Sequence, residues 1–193
     1  LAAAGFPAAE HWKIYLVTML ISFVSVVPFI IYAEVKRKMK RGFIGCVAVL
    51  LIAEIVLWGS GPHFWELVAG VQLFFLAFNL MEALLPSLIS KESPAGYKGT
   101  AMGIYSTSQF IGVAIGGSLG GWVEVLFYSQ TVFLAGALLA MVWLLVASSM
   151  KEPRYVSSLR VEIPEDVEIT DALKQRLEAT EGVSEVLIAP QER

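Results

Sequence analysis

Charged residues are confined to a few short stretches of this chain, and this segregation most constrains its fold. None lies between Lys13 and Glu34, and none lies between Glu124 and Lys151. Each interval is about as long as the roughly 20 apolar residues that cross a bilayer as a helix. The chain is 56% hydrophobic and 16% charged, with a mean hydropathy of +0.68, which is unusual for a soluble domain. The pattern predicts an all-α polytopic membrane protein.

Five membrane helices are predicted within a membrane region of residues 1–152. Their expected bounds are 13–33, 43–58, 64–89, 99–123 and 131–150. Lysine and arginine occur in the first and third connections and after the fifth helix, but not in the second and fourth connections. Because basic residues favour the cytoplasmic side, the basic loops and the C-terminal tail are expected to be cytoplasmic. The N-terminal flank is then extracytoplasmic, so at least one upstream span is expected to be absent.

Residues 153–193 have a different character. Alternating apolar and polar residues predict a strand at Tyr155–Pro164 and another at Val183–Ala189. Between them, residues 171–179 predict a helix that Gly182 terminates. This α+β segment is expected to be a soluble cytoplasmic unit with too little apolar surface to fold stably alone.

Polar side chains recur at helical spacing on the first, third and fourth predicted helices, whereas the second and fifth are almost uniformly apolar. Two apolar helices can shield three that line a path through the membrane. Polar residues inside a membrane equally well link neighbouring helices by hydrogen bonds, and the sequence leaves both interpretations open. The candidate path residues are Tyr15, Thr18, Ser22, Gln72, Asn79, Tyr105 and Gln109.

Glu82 is the candidate proton-coupling residue. It lies about two turns before Ile89 in the third helix, and an acid inside a membrane span is by default a functional candidate. Burial there would favour its neutral form, so it could bind and release a proton. The alternative is a buried hydrogen bond that holds the third and fourth helices together. Glu54 is about one turn from Trp58 and is expected to reach the headgroup region.

Small residues dominate the fourth predicted helix. Such residues let helices approach closely in lipid, and close contacts that can slide would permit alternating access. The candidate packing and gating residues are Gly99, Thr100, Gly103, Gly112, Gly116, Gly117 and Gly120.

Two segments resemble known transporters. The sequence NLMEALLPSLIS at 79–90 is similar to the tenth helix of drug:proton antiporter-type members of the major facilitator superfamily, and GTAMGIYSTSQFIG at 99–112 resembles their eleventh. With the order of polar and apolar helices, the resemblance implies the C-terminal half of such a transporter, without its first helix. It further implies an N-terminal half as partner, a bacterial inner-membrane location, and proton-coupled efflux of small molecules such as lipophilic cations. The tail resembles the start of an appended ferredoxin-like domain.

The first connection corresponds to a degenerate copy of the superfamily's loop motif, which is rich in glycine, aspartate and arginine. An acid is present where one is expected, but the motif's glycines are not evident. The loop also serves as a topology anchor, with a weaker expectation of attraction to anionic lipid. Its residues are Glu34, Lys36, Arg37, Lys38, Lys40 and Arg41.

The sequence contains no nucleophile–base pair, metal-ligand cluster or phosphate-binding loop, so no enzymatic activity, catalytic residue, cofactor or metal is predicted. The single Cys46 excludes an internal disulfide. The expected partners are a small-molecule substrate, protons and membrane lipids, and no nucleic acid. Two other functions stay open: an importer with the same fold, and a membrane-anchored signalling protein whose tail is the active part.

Overall fold

The structure, a computed structural model, describes residues 1, 4–36, 38–94, 96–152, 171–180, 183 and 186. In this part of the chain, five helices are long and apolar enough to span a membrane, which confirms the five predicted spans. They are α1 (His11–Val35), α2 (Met39–Gly59), α3 (Phe64–Glu92), α4 (Lys98–Leu126) and α5 (Ser129–Ser148). A short helix, α6 (Asp171–Glu178), lies in the tail.

Helix α3 is three residues longer than predicted, and Glu82 lies in its C-terminal half. The helix continues past Ile89 to Glu92, because Lys91 and Glu92 are tolerated where a helix leaves the membrane. At a rise of about 1.5 Å per residue, Glu82 lies about 15 Å from the cytoplasmic end of α3. Because the last residues of α3 leave the membrane, Glu82 lies in the cytoplasmic part of this span.

Helix α2 is central to the packing, since it lies against both α3 and α5, while α1 lies against α3. Most of the core is formed near the cytoplasmic ends of α2 and α3, where the side chains of Met39, Val47 and Leu84 are almost completely buried. Helix α4 packs only lightly against α3 and α5 and contributes no buried residue. The two helices that the sequence marks as apolar, α2 and α5, thus contact each other.

Large apolar side chains cover the outside of the bundle. Trp65 on α3 and Val125 on α4 are 78% and 85% exposed, and many residues of α1 and α5 are similarly exposed. A soluble protein rarely exposes so much contiguous apolar surface, whereas lipid solvates it. The surface agrees with a membrane-embedded bundle whose backbone polar groups are satisfied within helices.

The α2–α3 interface depends on Gly70. A Cβ atom at this position would lie 2.7 Å from both Cγ and Cδ2 of Leu57, and 3.4 Å from Val56. Leu57 is itself only 6% exposed, so it has little room to move. The close approach of the two helices therefore requires glycine here.

Gly70→Leu is expected to destabilise the bundle by about 1–3 kcal/mol, the usual cost of overpacking a well-packed core. The measurement is the thermal unfolding of the purified full-length protein in detergent. Gly59→Leu is the matched control, because a Cβ there would meet nothing within 4 Å. Equal melting temperatures for the two variants would contradict the proposed close contact.

The predicted organisation of the tail is tested only in part. Helix α6 occupies the predicted helical segment. The strand expected at Tyr155–Pro164 lies outside the described residues, as does most of that expected at Val183–Ala189. The described residues include no strand, so the ferredoxin-like fold stays a prediction.

Candidate transport path

Helices α1 and α3 are joined by one hydrogen bond between side chains. Gln72 Nε2 donates to Ser22 Oγ at 2.7 Å, and Ser22 is completely buried. One turn earlier on α1, Thr18 is also buried, and its hydroxyl donates to the Ile14 carbonyl at 2.8 Å. Serine and threonine inside helices often satisfy themselves in this way. Ser22 and Gln72 thus link α1 to α3, whereas the Thr18 hydroxyl is satisfied within α1.

Tyr15 extends this contact between α1 and α3 toward the extracytoplasmic side. Its ring meets that of Phe75 edge-on, with ring centroids 6.3 Å apart. The tyrosine side chain is 43% exposed, so one face of the ring remains accessible. The place of Tyr15 in a transport path stays a prediction.

A second polar link joins α3 and α4. Gln109 Nε2 donates to Glu82 Oε1 at 2.5 Å, and both side chains are half-buried. A hydrogen bond with an ionised acceptor is short and strong. The structure therefore contains the bond between the third and fourth helices that the sequence offered as one interpretation of Glu82. The bond does not by itself assign or remove a proton-coupling role.

Two unsatisfied polar atoms lie close to this link. Asn79 is one turn before Glu82 on α3, and Tyr105 is one turn before Gln109 on α4. Among the described residues, Asn79 Nδ2 and the Tyr105 hydroxyl are buried without a hydrogen-bond partner, and Tyr105 is within electrostatic range of Glu82. Because an unpaired buried donor costs free energy, each atom needs a partner in the membrane. The four residues together form the α3–α4 polar cluster.

The glycines of α4 make no close contact with other helices of this chain. A Cβ atom at Gly112, Gly116 or Gly117 would meet nothing within 4 Å, and one at Gly120 would meet only Val132, at 3.9 Å. Gly103 is also open, and Gly99 and Thr100 are exposed at the start of the helix. Their predicted packing role therefore concerns a surface that this chain leaves uncovered.

The close contact that sequence reasoning missed is between α2 and α5. A Cβ atom at Gly136 would lie 2.9 Å from the carboxyl carbon of Glu54. The Glu54 side chain is therefore directed toward the backbone of α5, and its reach to the headgroup region stays a prediction. A lone glycine within an otherwise apolar helix was the available signal.

The basic loop between α1 and α2 lies at the cytoplasmic end of the bundle. Lys36, Lys38 and Arg41 are exposed and Lys40 is half-buried. Lys91, at the end of α3, places its Nζ 2.9 Å from Met39 Sδ at the start of α2, so a third helix adds positive charge there. The side chain of Glu34 and all of Arg37 lie outside the described residues, and the loop's correspondence to the superfamily motif stays a prediction.

The described residues contain no group of three or more histidine, cysteine, aspartate or glutamate side chains arranged to hold a metal ion. The polar groups of the bundle are instead dispersed in pairs between helices. Such pairs can bind and orient a small solute through hydrogen bonds, and the carboxylate can carry a proton.

The five spans and their buried polar pairs define a polytopic membrane protein, and several proteins that resemble it are named as transporters. Over 192 residues, the whole of this chain, it is 73% identical to the inner membrane transport protein YajR of Escherichia coli, of which it spans 42%. The family model of the YajR YAM domain matches residues 159–193. These matches confirm the resemblance to known transporters that the sequence indicates.

Two further relatives with lower identity are also named as transporters. An uncharacterized transporter of Buchnera aphidicola is 37% identical over 113 residues, 58% of this chain and 29% of that protein. An uncharacterized major facilitator-type transporter of Pseudomonas aeruginosa is 30% identical over 105 residues, 54% of this chain and 26% of that protein. The relatives are named as transporters, which agrees with the prediction that this chain has no enzymatic activity. The inner-membrane location is confirmed by the similarity to YajR together with the five spans.

Proposed function

We propose that this chain forms part of a transporter that exports small molecules by alternating access, in exchange for protons that enter through Glu82. The chain spans less than half of the relative it matches, so the activity concerns the full-length protein. In this proposal, residues 1–152 form one half-bundle, residues 153–193 begin a cytoplasmic domain, and the other half of the transporter completes the cavity. The observation that supports it is the α3–α4 polar cluster.

Glu82 and Gln109 can remain hydrogen-bonded in both protonation states. An ionised carboxylate would accept from the amide NH2, which suits the contact between Gln109 Nε2 and Glu82 Oε1, while a protonated carboxyl group would donate to the amide oxygen after the amide rotates. Protonation would therefore exchange a strong bond for a weaker one without leaving a buried charge unpaired. Such a change in the strength of the link between α3 and α4 can bias the two helices between two arrangements.

The neighbouring unpaired groups suit a substrate. The Tyr105 hydroxyl can donate or accept a hydrogen bond, and the Asn79 amide nitrogen can donate. With Glu82 ionised, the cluster would attract a small cation, and protonation would remove that attraction. Competition between cation and proton for one carboxylate is a direct way to couple export to proton entry. Lipophilic cations fit best, since they also gain from the apolar walls of the path.

The proposal is tested with the full-length protein in everted membrane vesicles that contain an acid-sensing dye. After the vesicles are acidified, a panel of lipophilic cations is added one at a time. Export of this kind predicts dye recovery that depends on the compound, since each transported molecule releases a proton from the lumen. No recovery with any compound would remove cation–proton exchange. If acidifying the outside of intact cells instead drives the compound into the cells, the result would favour the importer.

A further inference from the structure

An apolar groove lies between α1, α2 and α3, away from the α3–α4 polar cluster. Its volume is about 320 Å³, and its lining includes Phe29 of α1, Gly45 and Cys46 of α2, and Leu76 of α3. It exists because α1 and α2 both pack against α3 but hardly touch each other. The space between them is therefore open along its length, with α3 as its floor.

Water is a poor occupant of this groove. Its volume corresponds to about ten water molecules at roughly 30 Å³ each, but buried water needs two or more polar partners. The hydroxyl of Ser25, which also lines the groove, already donates to the Ile21 carbonyl at 2.8 Å. The remaining lining is apolar apart from the Cys46 thiol. An apolar chain fits the groove better than a hydrated solute does.

The basic loop lies beyond the cytoplasmic end of the groove, about 9 Å from its nearest lining residues. Phe29 lies about 9 Å along α1 from its end at Val35, and Gly45 lies about 9 Å from the start of α2. Lys36, Lys38, Lys40 and Arg41 lie at these helix ends, and none of them forms an ion pair with another residue that the structure describes. Positive charge thus stands at the membrane surface directly beyond an apolar groove.

We propose that this groove and the basic loop together bind one anionic phospholipid of the inner leaflet. One acyl chain lies between α1 and α2 against Leu76 and Leu80, and the headgroup phosphate lies at Lys38 and Arg41. The cytoplasmic leaflet supplies anionic lipids, which attract basic segments at its surface. The inference goes beyond the proposed transport function and does not depend on proton coupling.

The test measures lipid retention by native mass spectrometry. The full-length protein is delipidated in detergent and titrated separately with phosphatidylglycerol and phosphatidylcholine of the same acyl chains. We expect one tightly retained lipid with a preference for phosphatidylglycerol. Equal retention of the two lipids, or none of either, would overturn the proposal.

Two variants separate the two parts of the site. The double change Lys38→Gln with Arg41→Gln should weaken phosphatidylglycerol binding by about 30-fold, since each basic residue near an anionic surface contributes about a five-fold preference. It should weaken phosphatidylcholine binding much less, because the choline of that headgroup offsets the charge of its phosphate. Lys36 and Lys40 remain to hold the topology of the loop.

Gly45→Phe fills the groove, because a Cβ atom at Gly45 would meet nothing within 4 Å and would project into open space. It should abolish retention of the lipid. Gly59→Phe is the matched control on the same helix, also with open space around it, and should retain the lipid. Equal retention by both variants would contradict an acyl chain in the groove. A much lower melting temperature of delipidated Gly45→Phe alone would show that protein fills the groove, and the proposal would be wrong.

Discussion

Replacing Glu82 by glutamine is expected to abolish compound-dependent dye recovery in everted vesicles, down to the level of vesicles without the transporter. Glutamine can still accept the hydrogen bond from Gln109 through its amide oxygen, so the α3–α4 link that the structure shows is preserved. What the substitution removes is the ability to ionise. The loss of recovery would therefore report the proton-carrying role and not a loss of packing.

Two matched variants distinguish the proton role from a structural one. Gln109→Leu keeps the carboxylate but removes the link whose strength is proposed to change with protonation, and should lower dye recovery without abolishing it, since Glu82 can still ionise. Glu54→Gln neutralises another carboxylate within a span, one that lies against Gly136, and should retain recovery. Wild-type recovery with an unchanged pH profile in Glu82→Gln would show that Glu82 is structural only.

Gly112→Leu and Gly116→Leu are each expected to eliminate transport while the protein still inserts into the membrane. Within this chain, a Cβ atom at either position would meet nothing within 4 Å, so the bundle itself tolerates leucine. If the other half of the transporter packs against this face of α4, leucine would hold the two halves apart and block their rocking motion. The measurement is transport in vesicles, beside the amount of inserted protein.

The control for this experiment is a leucine substitution at an open position away from α4. Gly59→Leu provides it, because Gly59 also has open space around it but lies at the extracytoplasmic end of α2. Transport should survive this change. Normal transport in both α4 variants would remove the proposed close contact between the two halves.

The helices of the membrane region could be predicted from the sequence because charge and hydropathy act locally. A span needs only a sufficient length of apolar residues, and its boundary needs only a polar connection. The predicted ends were short by up to four residues, as at Phe43 against the observed Met39, because the basic residues there continue the helix into the headgroup region. The cytoplasmic end of α3 at Glu92 differs for the same reason.

The contacts between helices could be predicted only in part. Gln109 and Glu82 were separate candidates, and helical spacing placed each on a polar face, but no local pattern says which side chain on one helix meets which on another. The same limit applies to Gln72 and Ser22, which are 50 residues apart. The unpaired atoms of Asn79 and Tyr105 could not be anticipated, since the lack of a partner is a property of the assembled bundle.

Glycine roles show the limit most clearly. The glycine-rich face of α4 carried the sequence argument for close packing, whereas the tight contacts within the described bundle are at Gly70 and Gly136. A single glycine carries no periodic signal, so its importance depends on what faces it. The side chains that face these two glycines, Leu57 and Glu54, are identified only by the three-dimensional structure.

The weak attachment of α4 has a consequence for biogenesis. This helix is the least apolar of the five spans and buries no residue within the described bundle, so neither its own hydrophobicity nor its neighbours hold it firmly. In a newly synthesised chain, α4 would stay weakly packed until the two halves of the transporter assemble. Membrane proteases that extract poorly anchored helices would then have a point of attack in any molecule whose halves fail to assemble. The helix that is expected to be essential for transport would thus also be the one whose exposure marks an unassembled molecule for degradation.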